Sequence, residues 1–316
     1  MSLIAKLSGA VLAAGLLAST SASAQEAASC ATVRLSDVGW TDITATTAVA
    51  STLLKGLGYE PDVKVLSVPV TFSALKSNDL DAFLGNWMPS QTNEVTKYLN
   101  DGSIEQIGAN LEGAKYTLAV PQYLFDAGLK DYADLPKFRD QLEGRIYGIE
   151  PGNEGNGHLI EMIEANDFGT KGFEVVESSE QGMLSQVSRA TKSKKPIVFL
   201  GWAPHPMNKN FQLAYLSGGD KYFGANFGGA TVYTVTRKGY SAECPNVGGF
   251  LKNLVFDLDA ENTIMGSILD DGKDAPVAAA EWLKAHPERL DAWLKGVKTK
   301  DGGDGLAAVK TALGLS

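Results

Sequence analysis

Short apolar runs alternate with longer amphipathic stretches along most of this chain. Runs with period-2 or continuous apolar character predict strands over residues 32–37 (TVRLSD), 62–68 (DVKVLSV), 80–84 (LDAFL), 116–121 (YTLAVP), 145–150 (RIYGIE), 173–177 (FEVVE), 196–200 (PIVFL) and 230–236 (ATVYTVT). Stretches with helical spacing lie between them, at about 43–57, 70–77, 156–166 and 180–192. From about 246 to 314 the pattern is almost wholly helical, and Trp282 and Trp293 sit there among Leu and Ala as core residues. Strands alternating with helices predict an α/β protein whose parallel sheets are covered by helices. Two lobes fit this length better than one. The expected division is a discontinuous lobe 1, residues 25–113 and 213–316, with lobe 2, residues 114–212, inserted into it.

Residues 1–24 break the pattern. MSLIAKLSGAVLAAGLLASTSASA carries one charge, Lys6, then an apolar run, then Ala22-Ser23-Ala24. This is the form of a secretory signal peptide, cut after Ala24; the apolar run is short for a membrane span. Export changes how the two cysteines read. Cys30 and Cys244 are expected to pair, the alternative being two free thiols; the bond would tie the N-terminus to the last third of the chain. Residues 1–24 hold one Lys and no acid, so their removal takes the net charge from −9 to −10. Such a balance argues against nucleic acid or an anionic membrane as partner.

A short phrase recurs. FLGNWMP at 83–89 and FLGWAP at 199–204 both run from an apolar segment through Gly to Trp, with Pro two residues after the Trp. Ligands of open α/β sheets bind beyond the carboxyl ends of the strands, so Trp87 and Trp202 are expected at the cleft rim, their directions fixed by the following proline. Trp40, in SDVGWTD, follows the first strand in the same way, and Tyr116 stands where the chain crosses between lobes. Converging rings suit a sugar or a quaternary ammonium held by cation–π attraction. Their polar company is sparse, Asp42 and Asn153, which favours a compact cation with one hydroxyl. The plainer alternative is that strand-end tryptophans plug loops over the core. Asp42 could equally be a helix N-cap, and His205, flanked by prolines, reads as a loop residue. Catalysis has little support: His158, His205 and His286 form no metal spacing, no G-x-S-x-G elbow occurs, and PGNEGNGH at 151–158 lacks the Lys-Ser/Thr of a P-loop.

GWTD at 39–42, GNWMPS at 85–90, AKYTL at 114–118, EPGNEGN at 150–156 and GWAPHP at 201–206 together resemble the periplasmic substrate-binding proteins of ABC importers for glycine betaine, proline betaine and choline, the choline-binding members above all. The resemblance implies a two-lobed (type II) periplasmic binding-protein fold with the ligand between the lobes. It implies that Trp40, Trp87, Tyr116 and Trp202 cage the trimethylammonium, and that Asp42 and Asn153 meet the hydroxyl. It implies no cofactor, no metal and no catalysis, a monomer, and delivery to a membrane permease with its cytoplasmic ATPase. Choline is the expected ligand, with acetylcholine as a further candidate and betaine as a weak one. The competing expectations are a betaine- or acetylcholine-binding protein and, from another class, an exported enzyme acting on choline esters.

Overall fold

The computed structural model describes residues 26–315. The signal-peptide expectation lies outside the described residues. Nine strands form one curled mixed sheet: β1 Thr32–Asp37, β2 Glu60–Val65, β3 Ala82–Met88, β4 Ile104–Pro121, β5 Arg145–Tyr147, β6 Glu174–Val176, β7 Phe199–Ala203, β8 Leu213–Tyr215 and β9 Gly229–Arg237. Their order is β2-β1-β3-β9-β4-β7-β5-β6, with β8 added on β4. Strands β1, β2 and β3 are mutually parallel, as are β5, β6 and β7. The expectation of purely parallel sheets fails between these groups. There β9 runs antiparallel to both β3 and β4, and β4 runs antiparallel to β7.

The strand that joins the halves is β4, and most of it escaped the sequence pattern. Residues 104–115 (IEQIGANLEGAK) pair with β9 through three register shifts, at 106/108, 109/111 and 111/114. Each bulge moves successive side chains to the opposite face and erases the period of two. Beyond Lys115 the same strand pairs with β7, then with β8. Asn110 fills the irregular region from within, its amide donating to the Leu84 carbonyl and to Thr234 Oγ1 at 2.8 and 2.9 Å.

Helices α1 Thr41–Gly56, α2 Val68–Lys76 and α3 Thr92–Asn100 follow β1, β2 and β3; α3 was not anticipated. In the other half, the helix Glu154–Glu164 leads from β5 towards β6, and Glu180–Ser193 leads from β6 to β7. The C-terminal helices follow the helical pattern, and α1 packs against Leu258–Leu269, Ala275–Ala285 and Gly305–Leu313. Trp282 and Trp293 are buried and stacked there, 5.9 Å between centroids. Cys30 and Cys244 form a disulfide with both residues fully buried. Nearby, Asp81 ties three strands of this half together by accepting from Arg34 at 2.7 Å and Arg237 at 2.8 Å. Burial raises its pKa, but these hydrogen bonds outweigh that effect and hold the carboxyl below the usual range.

Candidate functional site

Trp40, Asp42, Trp87, Tyr116, Ile149, Asn153, Glu154 and Trp202 line one small cavity. All eight are 1–6 % exposed, so the halves of the sheet are shut over it. All six residues singled out as ligand-binding in the sequence therefore meet at one place. Ile149 and Glu154 were missed.

Trp87 and Trp202 stand inside their strands rather than after them. Trp87 is the sixth residue of β3 and Trp202 the fourth of β7, and the Met88–Pro89 and Ala203–Pro204 bonds that follow are both cis. Trp40 holds the N-cap position of α1 in extended backbone geometry. Tyr116, on β4 directly opposite Trp202, forms the wall between the others. Its ring centroid lies 6.3 Å from that of Trp87, with planes at 65°, and 6.3 Å from that of Trp202, at 82°. The rings thus stand at steep angles to one another beside the cavity they line. Among the described residues, the protein's own Lys and Arg cation–π contacts lie on other rings.

Tyr116 can stand there because residue 155 is glycine. A Cβ on Gly155 would lie 2.1 Å from the tyrosine oxygen. The tyrosine hydroxyl donates to Asn153 Oδ1 at 2.8 Å, and the same oxygen caps the helix Glu154–Glu164 by accepting from the Gly155 N–H at 2.8 Å. The Asn153 amide donates to Glu150 Oε1 at 3.2 Å. Asn153 is thus an N-cap as well as a cavity wall, and its amide nitrogen carries a second hydrogen beyond the one given to Glu150.

Asp42 is not the cap of α1. It is the second helical residue; one carboxylate oxygen accepts from Trp87 Nε1 at 3.1 Å, and the other is buried without a partner. Burial pushes its pKa up to about 8, the neighbouring Glu180 adds to this, and the backbone amides opening α1 and the Trp87 indole oppose it. Glu154 is in a similar state. One of its oxygens is buried and unpartnered, and burial, reinforced by Glu94 and Glu150, pushes it up to about 8 as well. Two buried carboxyls that resist ionisation line one aromatic cavity. A cation in the cavity would stabilise both in their ionised forms.

Further hydrogen bonds cross from one half to the other. Trp40 Nε1 donates to Glu150 Oε1 at 2.8 Å, and His158 Nε2 meets the Ser90 carbonyl at 3.1 Å. His205 does lie in the loop after β7, but it is buried and contacts the edge of Trp202, 4.9 Å between ring centroids. It is absent from the cavity lining.

The sequence matches the OpuAC family, described as the substrate-binding domain of ABC-type glycine betaine transport systems, over residues 31–285. The structure of an ABC-transporter choline-binding protein in complex with choline is 62% identical, with a TM-score of 0.90 over 91% of this chain and 100% of that one. An ABC-transporter choline-binding protein in an unliganded, semi-closed conformation is 63% identical, with the same coverage and a TM-score of 0.84. The glycine betaine/proline betaine-binding periplasmic protein of Escherichia coli strain K12 is 23% identical over 289 residues, 80% of this chain and 86% of that protein.

Proposed function

The chain belongs to the family of substrate-binding domains of ABC-type glycine betaine transport systems, and from that premise we propose that it captures choline between its lobes and delivers it to the importer's permease. The family is one of substrate-binding transport proteins, so the alternative of an exported esterase falls away. The observation that carries the ligand assignment is the cavity itself: four aromatic rings, with a buried, half-unpartnered Asp42 at its wall. The rings account for the trimethylammonium, each contributing about 0.5–2 kcal/mol when desolvated. Asp42 and the free amide hydrogen of Asn153 account for the hydroxyl. Glycine betaine shares the trimethylammonium but would bring its carboxylate against Asp42 and Glu154, a like-charge meeting in a dry cavity once the trimethylammonium has drawn those carboxyls into their ionised forms.

The lobe division, residues 25–113 with 213–316 and residues 114–212, is part of the proposal with one adjustment. Strand β8 pairs with the second half of β4, and Tyr222 donates to Asp167 at 2.6 Å, which supports a return crossing near Gly229. A monomer, exported by the segment 1–24 to the periplasm and served by a permease with its ATPase, completes the reading. Among the described residues no helix is long and apolar enough to cross a membrane.

Calorimetric titration with choline, acetylcholine, glycine betaine and a sugar tests the assignment. Choline is expected to bind more tightly than betaine, and the sugar not at all. Trp87→Ala and Trp202→Ala should each weaken choline by about tenfold or more, with Phe at the same positions costing less. Parent-like choline binding by both alanine variants would remove the cage.

A further inference from the structure

One buried carboxylate beside the cage takes no part in lining it. Glu180 opens the helix Glu180–Ser193, between β6 and β7, and is 2 % exposed. Thr41, the first residue of α1, belongs to the other half of the sheet. Its N–H donates to one Glu180 oxygen at 2.8 Å, and its hydroxyl donates to the other at 2.5 Å. The second oxygen also receives His205 Nε2 at 3.1 Å. His205 Nδ1 accepts the Met207 N–H at 2.9 Å, so the imidazole proton sits on Nε2 and the ring is a neutral donor.

The neighbours of these residues give the contact its meaning. Thr41 lies between Trp40 and Asp42 in sequence, and His205 rests its ring against Trp202. A single carboxylate therefore joins the segment that supplies two cavity residues from one half to the support of a third from the other. Both Thr41 donors are available only when the halves are together, while the His205 donor belongs to the same half as Glu180 and holds the carboxylate aimed.

We propose that Glu180 is a positioning residue that clasps Thr41 on closure, setting Trp40 and Asp42 against Trp202 and so fixing how long a bound quaternary ammonium stays. The ligand in this statement rests on the reading above; the clasp does not. Because the Thr41 contacts stabilise the shut state, with or without ligand, their main effect is on departure, which requires opening, rather than on arrival. Charge-assisted donors of this kind rank among the stronger hydrogen bonds.

Stopped-flow tryptophan fluorescence with choline, on the parent, Glu180→Gln, Thr41→Val and the double variant, measures both rates. Dissociation is expected to accelerate by about tenfold in Glu180→Gln and less in Thr41→Val, which keeps its N–H, with association within about twofold of the parent. The double variant should lose no more than Glu180→Gln alone, the mark of a shared interaction. Small-angle scattering of the unliganded proteins, which needs no ligand, should show both single variants more extended than the parent. Should Glu180→Gln fail to fold, Thr41→Val carries the test. Parent-like dissociation in the folded variants, or a loss confined to association, overturns the clasp. A parent that does not bind choline overturns the ligand assignment instead and leaves the scattering comparison to judge Glu180.

Discussion

At the scale of single residues, Asp42 decides most. In the proposed reading choline and betaine present the same head to the rings, so selectivity rests on the carboxyl groups at the cavity wall. Asp42→Asn is expected to weaken choline by about tenfold, through loss of a charge-assisted acceptor, and to narrow the gap to betaine, which escapes a repulsion. A choline-to-betaine affinity ratio that is unchanged or higher in paired titrations would refute this role. The raised pKa values add a pH dependence. An Asp near 3.8 when unfolded and about 8 when folded keeps its proton in the folded state across that interval while the unfolded chain has lost it. The unfolded state then binds fewer protons, so the unliganded protein loses stability as pH rises from about 4 to about 8. Glu154 pulls in the same direction. A cation favours the ionised carboxylates, so choline affinity should climb toward pH about 8 by at most about tenfold per pH unit for each proton released, then level off. Titrations in buffers of different ionisation enthalpy would register the released protons; a pH-independent affinity with no proton release would contradict it. The rings and Asp42 were legible in the sequence because three tryptophans shared one local context. Glu154 and Glu180 were not: each opens a helix, where an acid ordinarily serves the helix dipole, and only the fold shows what stands opposite.

At the scale of elements, the helix Glu154–Glu164 and strand β4 are fitted to each other. Gly155→Ala is a mild change for a helix taken alone, since Ala is the better helix former. Here the new methyl group would collide with the Tyr116 hydroxyl and break the Tyr116–Asn153–Gly155 arrangement that shapes one wall. Choline binding should fall by about tenfold or more while the melting temperature moves by only a few degrees, about what 1 kcal/mol produces in a chain of this size. Retained affinity on titration would show that Tyr116 can turn aside freely. Elements with an unbroken period were readable in advance: α1, the helix Glu180–Ser193, and the apolar cores of β1, β7 and β9. The first two-thirds of β4 was not, because three bulges scatter its apolar residues over both faces. The three-residue β8 was not anticipated either.

At the scale of the whole molecule, closure is the property to measure. The cavity residues are covered from both halves, and the overall likeness is greater to a choline complex than to a semi-closed unliganded structure. Adding choline should reduce the radius of gyration in solution and shift tryptophan emission, because ligand contacts on both halves favour the shut state. An unchanged radius at saturation would mean a rigid pocket. The course of β4 through both halves has its own consequence. When two bodies turn about a common line, each point sweeps an arc proportional to its distance from that line. Tyr116 lies one residue beyond the point where β4 exchanges β9 for β7 and pairs directly with Trp202, so these two rings keep their relation in any such turn while Trp87, on β3, moves against them. Tyr116 and Trp202 are then one jaw of a vice, and Trp87 belongs to the other. In the proposed reading the first jaw offers an arriving cation two rings whose mutual setting closure does not change, and Trp87 travels to meet a guest whose position is already marked.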